Sequence, residues 1–198
     1  MPKIVQHDVK REEIAAAVWR AIARVGIEAS TVREIAREAG CSTGVLVHYF
    51  PDKDALLIHA LRLATALAGS RMARRSRGVR GLAALRAVVR EALPIDTDSV
   101  LEWRVWLSFW GRAIHDAALA AEQARRYKEW RGLIRSLITD AQRADELPEQ
   151  LNAEREADAL VALIDGIGIQ ATLEPRRLTP KRQTALVDQY LDRLRRHR

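Results

Sequence analysis

Two runs in this 198-residue chain carry the residue types for covalent or cofactor chemistry, and neither has the setting for it. Gly40-Cys41-Ser42-Thr43-Gly44 matches the G-x-S-x-G pattern of a nucleophilic serine. That pattern exposes its serine only at a strand-to-helix turn, and helical periodicity precedes this one. Gly166-Ile167-Gly168-Ile169-Gln170-Ala171 has the glycine spacing of a dinucleotide fingerprint. The fingerprint needs a strand before it and a helix after it, whereas this run lies inside one apolar helix, where glycines permit close packing. The single cysteine, Cys41, excludes an internal disulfide and any multi-cysteine metal site. His7, His48, His59, His115 and His197 show no ligand spacing. The expectation is a protein that is not an enzyme and carries no metal or cofactor.

Binding chemistry is better represented. LEWRVWLSFWGRAIH (residues 101–115) places Trp103, Trp106 and Trp110 at i, i+3 and i+7, and Phe109 extends the face. Such a stripe is either plain core or the wall of a pocket. Trp130 in the next helix joins the ligand-binding candidates, as does Asp165, an acid in an otherwise apolar helix. Asp165 pairs either with a cationic ligand or with an arginine of the core.

The elements that position these residues are helical nearly end to end, with no strand or hairpin pattern. Ile14, Val18, Ala21, Ile22 and Val25 form one apolar face, stopped at Gly26. Thr31 with Glu34 reads as a capping box opening a short helix that ends at Gly40. Ser42 caps a third helix, which Pro51 breaks. A long fourth helix runs from Asp52 to about Arg77. A fifth, through Leu82 to Leu93, stops at Pro94. Ser99 with Glu102 reads as the box opening a sixth, to about His115. A seventh runs from about Leu119 to Ala141 and ends before Pro148. An eighth spans about Ala153 to Leu173, and a ninth starts at Thr179-Pro180. The expectation is nine helices, three short and six longer. No stretch approaches the roughly 18 apolar residues needed to cross a bilayer. The start, MPKIVQHDVKREE, shows no apolar leader, so a cytoplasmic protein is expected.

Charge argues by position, not in bulk. The net charge is +7, yet residues 1–60 hold eight Lys/Arg against eight Asp/Glu. The surplus lies in Arg62 to Arg80, six arginines without an acid, and in the tail from Arg193 to Arg198. One reading is therefore a sequence-independent architectural DNA binder using those arginines, recognisable by strong salt dependence without sequence preference. Another is a small-molecule-binding protein or enzyme with a vestigial DNA motif.

The motif favours a third reading. Two short helices separated by Gly40-Cys41 form a helix-turn-helix, whose second helix enters the major groove. Thr31, at a helix start, suits a phosphate. Ser42 and Thr43 open the reading helix, and Gly44 permits close approach to DNA. Val47 and His48 point outward, while Leu46, Tyr49 and Phe50 anchor the helix. The run TVREIAREAGCSTGVLVHYFPDKDALL (residues 31–57) resembles the DNA-binding signature of the TetR family of transcriptional regulators. That resemblance covers residues 10–60 and makes Lys53 the counterpart of a phosphate-contacting lysine. Val47 departs from the tyrosine many members carry, and offers a thymine methyl an apolar contact instead.

The second half resembles the betaine-pathway (BetI-like) subgroup through WLSFW (106–110), His115, Leu147-Pro148 and ALIDG (162–166), to about residue 174. The resemblance implies an all-α, nine-helix TetR-type fold. Residues 1–52 would be the three-helix DNA-binding domain, and residues 53–198 the six-helix ligand-binding and dimerisation domain. It implies a homodimer on palindromic operator DNA, a repressor released by a small-molecule inducer, and a choline-like ligand, which stacked indoles suit by cation–π attraction. Arg104, Arg112 or Arg131 would equally suit an anion. Leu160, Ile164 and Ile167 of the eighth helix, with Leu186, Tyr190 and Leu194 of the ninth, are the expected dimer surface, completing a four-helix bundle with the partner.

Overall fold

The computed structural model describes residues 3–26 and 29–196, with side chains over 12–26 and 29–196. Met1 and Pro2, the side chains of residues 3–11 including His7, and His197 and Arg198 of the basic tail lie outside the described residues. Among the described residues there are nine helices and no strand. They are α1 (Lys3–Val25), α2 (Val32–Glu38), α3 (Thr43–Tyr49), α4 (Lys53–Arg75), α5 (Gly81–Glu91), α6 (Thr97–Ala113), α7 (Ala117–Arg143), α8 (Ala153–Leu173) and α9 (Pro180–Arg196). Only α2 and α3 are short, at seven residues each, because α1 extends to 23 residues, well before the apolar face that begins at Ile14.

The chain forms two compact units, Met1–Leu67 with Arg104–Gln123, and Ala68–Trp103 with Ala124–Arg198. In the first unit, Ile14, Val18 and Ile22 of α1 meet Ile35 of α2, Leu46 and Phe50, Leu56, Leu57 and Leu61 of α4, and Val105 and Phe109 of α6 in one core. Each such side chain contributes about 1.5–3 kcal/mol by leaving water. In the second, α5, α8 and α9 bury Leu85, Val88, Leu160, Ile164, Val187 and Leu191, and Trp103 and Ile134 of the same unit are buried as well.

Helix ends show where local chemistry prevailed and where it did not. Thr31 caps α2, its hydroxyl accepting from Glu34 N at 3.2 Å. The reciprocal half of the expected box is replaced, because the Glu34 carboxylate accepts from Arg24 and Arg37 at 2.6 Å each. The second expected box is corrected. The N-cap of α6 is Asp96, whose Oδ1 accepts from Ser99 N at 2.8 Å, while Ser99 Oγ accepts from Asp96 N at 3.1 Å. The motif is thus Asp96 with Ser99, three residues earlier. Glu102 is released from capping and is 5 % exposed, bonded by Arg71 at 2.5 Å. Burial raises its pKa against the pull of Arg71.

One cap is tertiary. The α5 start, after Arg80, has no side-chain cap of its own. Glu146 supplies it from the end of α7, its carboxylate accepting from Leu82 N at 2.6 Å. Asp145, at φ 56°, turns the chain to aim that carboxylate, and Glu146 N bonds back to Ala141 O.

Candidate nucleic-acid interface

The turn between α2 and α3 follows from its backbone. Gly40 N donates to Arg37 O at 3.2 Å and Cys41 N to Ala36 O at 3.0 Å, a Schellman closure that requires the left-handed φ of +61° at Gly40. A Cβ at Gly40 would meet nothing, so conformation and not space calls for glycine there. Ser42 then caps α3, its hydroxyl accepting from Val45 N at 3.3 Å. Behind the motif, Arg20 and Arg24 of α1 hold Glu34 and Glu38 of α2. The bonds from Arg24 and then Arg37 hold the Glu34 carboxyl below the usual carboxylate range.

The seven residues of α3 could not meet DNA if the helix were buried, and it is not. Leu46 and Phe50 sink into the core at 2 and 1 % exposure, and Tyr49 is half-buried with its ring edge-on to His48 at 5.4 Å. Thr43, Gly44, Val45, Val47 and His48 remain exposed, with Val47 at 59 %. Ser42 and Thr31 are exposed beside their caps, and Lys53 is half-buried in the first turn of α4. A Cβ at Gly44 would find Ser42 Oγ at 3.7 Å, an ordinary contact, so nothing inside the chain demands that glycine. The seven expected residues thus occur on α2, α3 and the start of α4 of one unit. Val45, also exposed on α3, was missed; an apolar residue one turn from the cap carries no sequence signal separating it from core.

The six arginines of residues 62–80 are only partly a free basic face. Arg62 makes paired bonds to the buried Glu122 at 3.1 and 2.9 Å, and Arg71 and Arg75 share Glu91. Arg74, Arg77 and Arg80 are exposed.

The expected ligand residues divide between the two units: Trp106, Phe109 and Trp110 in the first, Trp103, Trp130 and Asp165 in the second. Phe109 is core at 1 % exposure. Trp103 is core too, at 2 %, its indole N–H donating to Ala92 O at 2.9 Å. Trp106, Trp110, Trp130 and Asp165 are half-buried. Asp165 accepts from the Tyr127 hydroxyl at 2.8 Å, and Arg131 lies 5.1 Å over the Tyr127 ring while pairing with Asp158. Burial raises the Asp165 pKa, opposed by the Tyr127 bond.

The expected dimer residues differ in their burial within the single chain. Leu160, Ile164, Ile167 and Leu194 are 0, 2, 3 and 5 % exposed in the single chain. They belong to the core of their own unit. Leu186 is 38 % exposed, and Tyr190 is half-buried with its hydroxyl donating to Glu156 at 2.6 Å. The exposed residues of α8 are Glu154, Arg155, Asp158, Ala159, Ala162, Gln170 and Leu173, the last 72 % exposed. A surface cleft of about 580 Å³ lies alongside, lined by Gln170, Leu178, Arg182, Ala185, Leu186 and Gln189 among others.

An all-helical chain with a capped helix-turn-helix of this kind is a DNA-binding regulator in its architecture. Residues 14–60 match the model of "Bacterial regulatory proteins, tetR family", and residues 81–196 match that of "BetI-type transcriptional repressor, C-terminal". The chain belongs to the TetR family of transcriptional regulators, with a BetI-type C-terminal region. Its relatives include the HTH-type transcriptional regulator PksA of Bacillus subtilis, 32 % identical over 97 % of this chain and 93 % of that one. The HTH-type transcriptional regulator BetI of Paraburkholderia phymatum is 32 % identical over 98 % of this chain and 97 % of its own. A putative transcriptional regulator from Saccharomonospora viridis, solved in complex with choline, superposes with a TM-score of 0.84 at 28 % identity, covering 92 % of this chain and 95 % of that one. The family and these relatives are transcriptional regulators, not enzymes. Among the described residues no helix is long and apolar enough to cross a membrane.

Proposed function

We propose that this chain is a ligand-responsive repressor that binds palindromic operator DNA as a homodimer in the cytoplasm and leaves it when a small-molecule inducer binds. Residues 1–52 read DNA and residues 53–198 sense and dimerise. The observation that carries the reading is the exposed face of α3, held in place by the buried Leu46 and Phe50. Thr31, Ser42 and Lys53 take phosphates, while Thr43, Val47 and His48 meet the groove, with Gly44 allowing close approach. The ion pairs that occupy Arg62, Arg71 and Arg75 speak against the architectural alternative, which needs that run free.

The ligand reading is a choline-like cation, supported by the choline in the Saccharomonospora neighbour. Within the first unit Trp106 and Trp110 retain surface for cation–π contact; within the second, Trp130 does so and Asp165 retains a carboxylate. Pairing of subunits uses the outward faces of α8 and α9, including Leu173 and Leu186. Inducer need only prefer one of two states, by about 1–3 kcal/mol, to shift DNA binding.

The test is a fluorescence-anisotropy titration against the DNA upstream of the chain's own gene, with scrambled DNA alongside, at near-physiological salt. Tight binding to the first alone, weakened in His48→Ala and relieved by choline, is expected. Equal binding to both duplexes would favour the architectural alternative. Choline binding with unchanged DNA affinity would sink the coupling.

A further inference from the structure

The first turn of α4 carries a charge arrangement that a DNA-facing surface has to manage. Lys53 stands between two acids, Asp52 and Asp54. Asp52 is used locally, its Oδ1 accepting from Ala55 N at 2.7 Å to cap the helix. Asp54 caps nothing of its own helix in this way. Its side chain is 43 % exposed, and its Oδ1 accepts a 2.7 Å bond from Arg112 in the last turn of α6, 58 residues on in sequence. Both residues belong to the same compact unit.

A pair this exposed adds little to stability. Its consequence is the field it sets. With Arg112 in place, a phosphate approaching Lys53 meets the charge of Asp52 alone, because Asp54 is neutralised. Without it, the same phosphate meets two carboxylates, one on either side of Lys53.

We propose that Arg112 is an electrostatic gate on DNA binding. While α6 holds it on Asp54, the α4 start is attractive to the backbone; a shift of α6 that withdraws it leaves Asp54 repelling the phosphate that Lys53 holds. Arg112 lies two residues beyond Trp110, on the helix that carries the aromatic candidates. Movement of α6 therefore has a readout in charge as well as in position. This inference rests on the reading of Lys53 as a phosphate contact.

The experiment uses the full chain and a duplex selected from a random pool by the parent protein, with affinity read by anisotropy. Arg112→Gln is expected to weaken binding roughly threefold to tenfold, and Arg112→Lys to stay within about twofold of the parent. The double variant Asp54→Asn/Arg112→Gln is expected to regain parental affinity, because the uncompensated charge is gone. A double variant as weak as Arg112→Gln would make the pair a mechanical strut and overturn the gate, as would parental affinity in Arg112→Gln. Should Arg112→Gln not fold, Asp54→Asn decides alone: binding at least as tight as the parent is expected, and weaker binding overturns the gate. Failure of the parent to select any sequence would overturn the proposed function itself.

Discussion

The indole of Trp103 lies so close to Gly168 that a Cβ built on that glycine would stand 2.1 Å from the ring. The glycine pair of α8 that mimics a cofactor fingerprint thus has, at Gly168, a packing cause. The ring cannot retreat, since its N–H is bonded to Ala92 O and its exposure is 2 %. Gly168→Ala is therefore expected to destabilise the chain by about 1–3 kcal/mol, as overpacked cores do, despite the better helix propensity of alanine. Urea unfolding of the two proteins checks this; a more stable variant would contradict it.

Glu146 and Gly81 form a second tight relationship. A Cβ on Gly81 would meet the Glu146 carboxylate at 2.0 Å, and φ at Gly81 is +55°. Glu146→Ala should cost about 1 kcal/mol, the usual worth of a helix cap. Gly81→Ala should cost more, because it both disturbs that cap and strains the backbone. Thermal unfolding of both variants ranks them.

Stability should carry a recognisable acid limb from Asp96. The backbone N–H of Ser99 bonds its carboxylate and, with the Ser99 hydroxyl, lowers its pKa against burial. A depressed folded pKa stabilises above the unfolded value and loses that contribution as pH falls through the folded one. Asp96→Ala should thus be about 1 kcal/mol less stable at neutral pH. The gap to the parent should shrink as pH drops below the ordinary aspartate range. A gap independent of pH would remove the charge from the account.

The α8 and α9 faces separate two kinds of leucine. Leu173→Glu with Leu186→Glu is expected to leave a folded monomer in analytical ultracentrifugation, since both side chains are exposed in the single chain. Leu160→Ala should instead cost about 2–5 kcal/mol of folding stability, because Leu160 is buried in its own unit. If Leu160→Ala dissociated a dimer without lowering stability, Leu160 would belong to the subunit interface.

Lys53→Ala should weaken binding similarly across DNA sequences and lower the slope of log affinity against log salt by about 1. A changed sequence preference with an unaltered slope would place Lys53 on a base instead of a phosphate.

Helix count, the helix-turn-helix and the stops at Gly26 and Gly40 were legible in the amino-acid order because they depend on neighbours within a few residues. Thr31 and Ser42 cap from one position, and Gly40 is needed for its own φ whatever surrounds it. The outward set on α3 was legible for the same reason, since a seven-residue helix has one buried side and Leu46 with Phe50 claims it.

Partnerships across long separations were decided only by the tertiary structure. Periodicity marks a residue as apolar-facing but does not say whose surface it meets, so Leu160 and Ile164 read as subunit interface although both are buried within the single chain. Trp103 and Trp106 differ by three residues and read alike, and what seats Trp103, Gly168 opposite its ring and the Ala92 carbonyl at its N–H, lies far off in the chain or on another helix. Glu146 on Leu82, and Arg112 on Asp54, join residues 64 and 58 apart. Such pairs depend on how helices pack in space, a property of the whole chain that no local pattern of residues encodes.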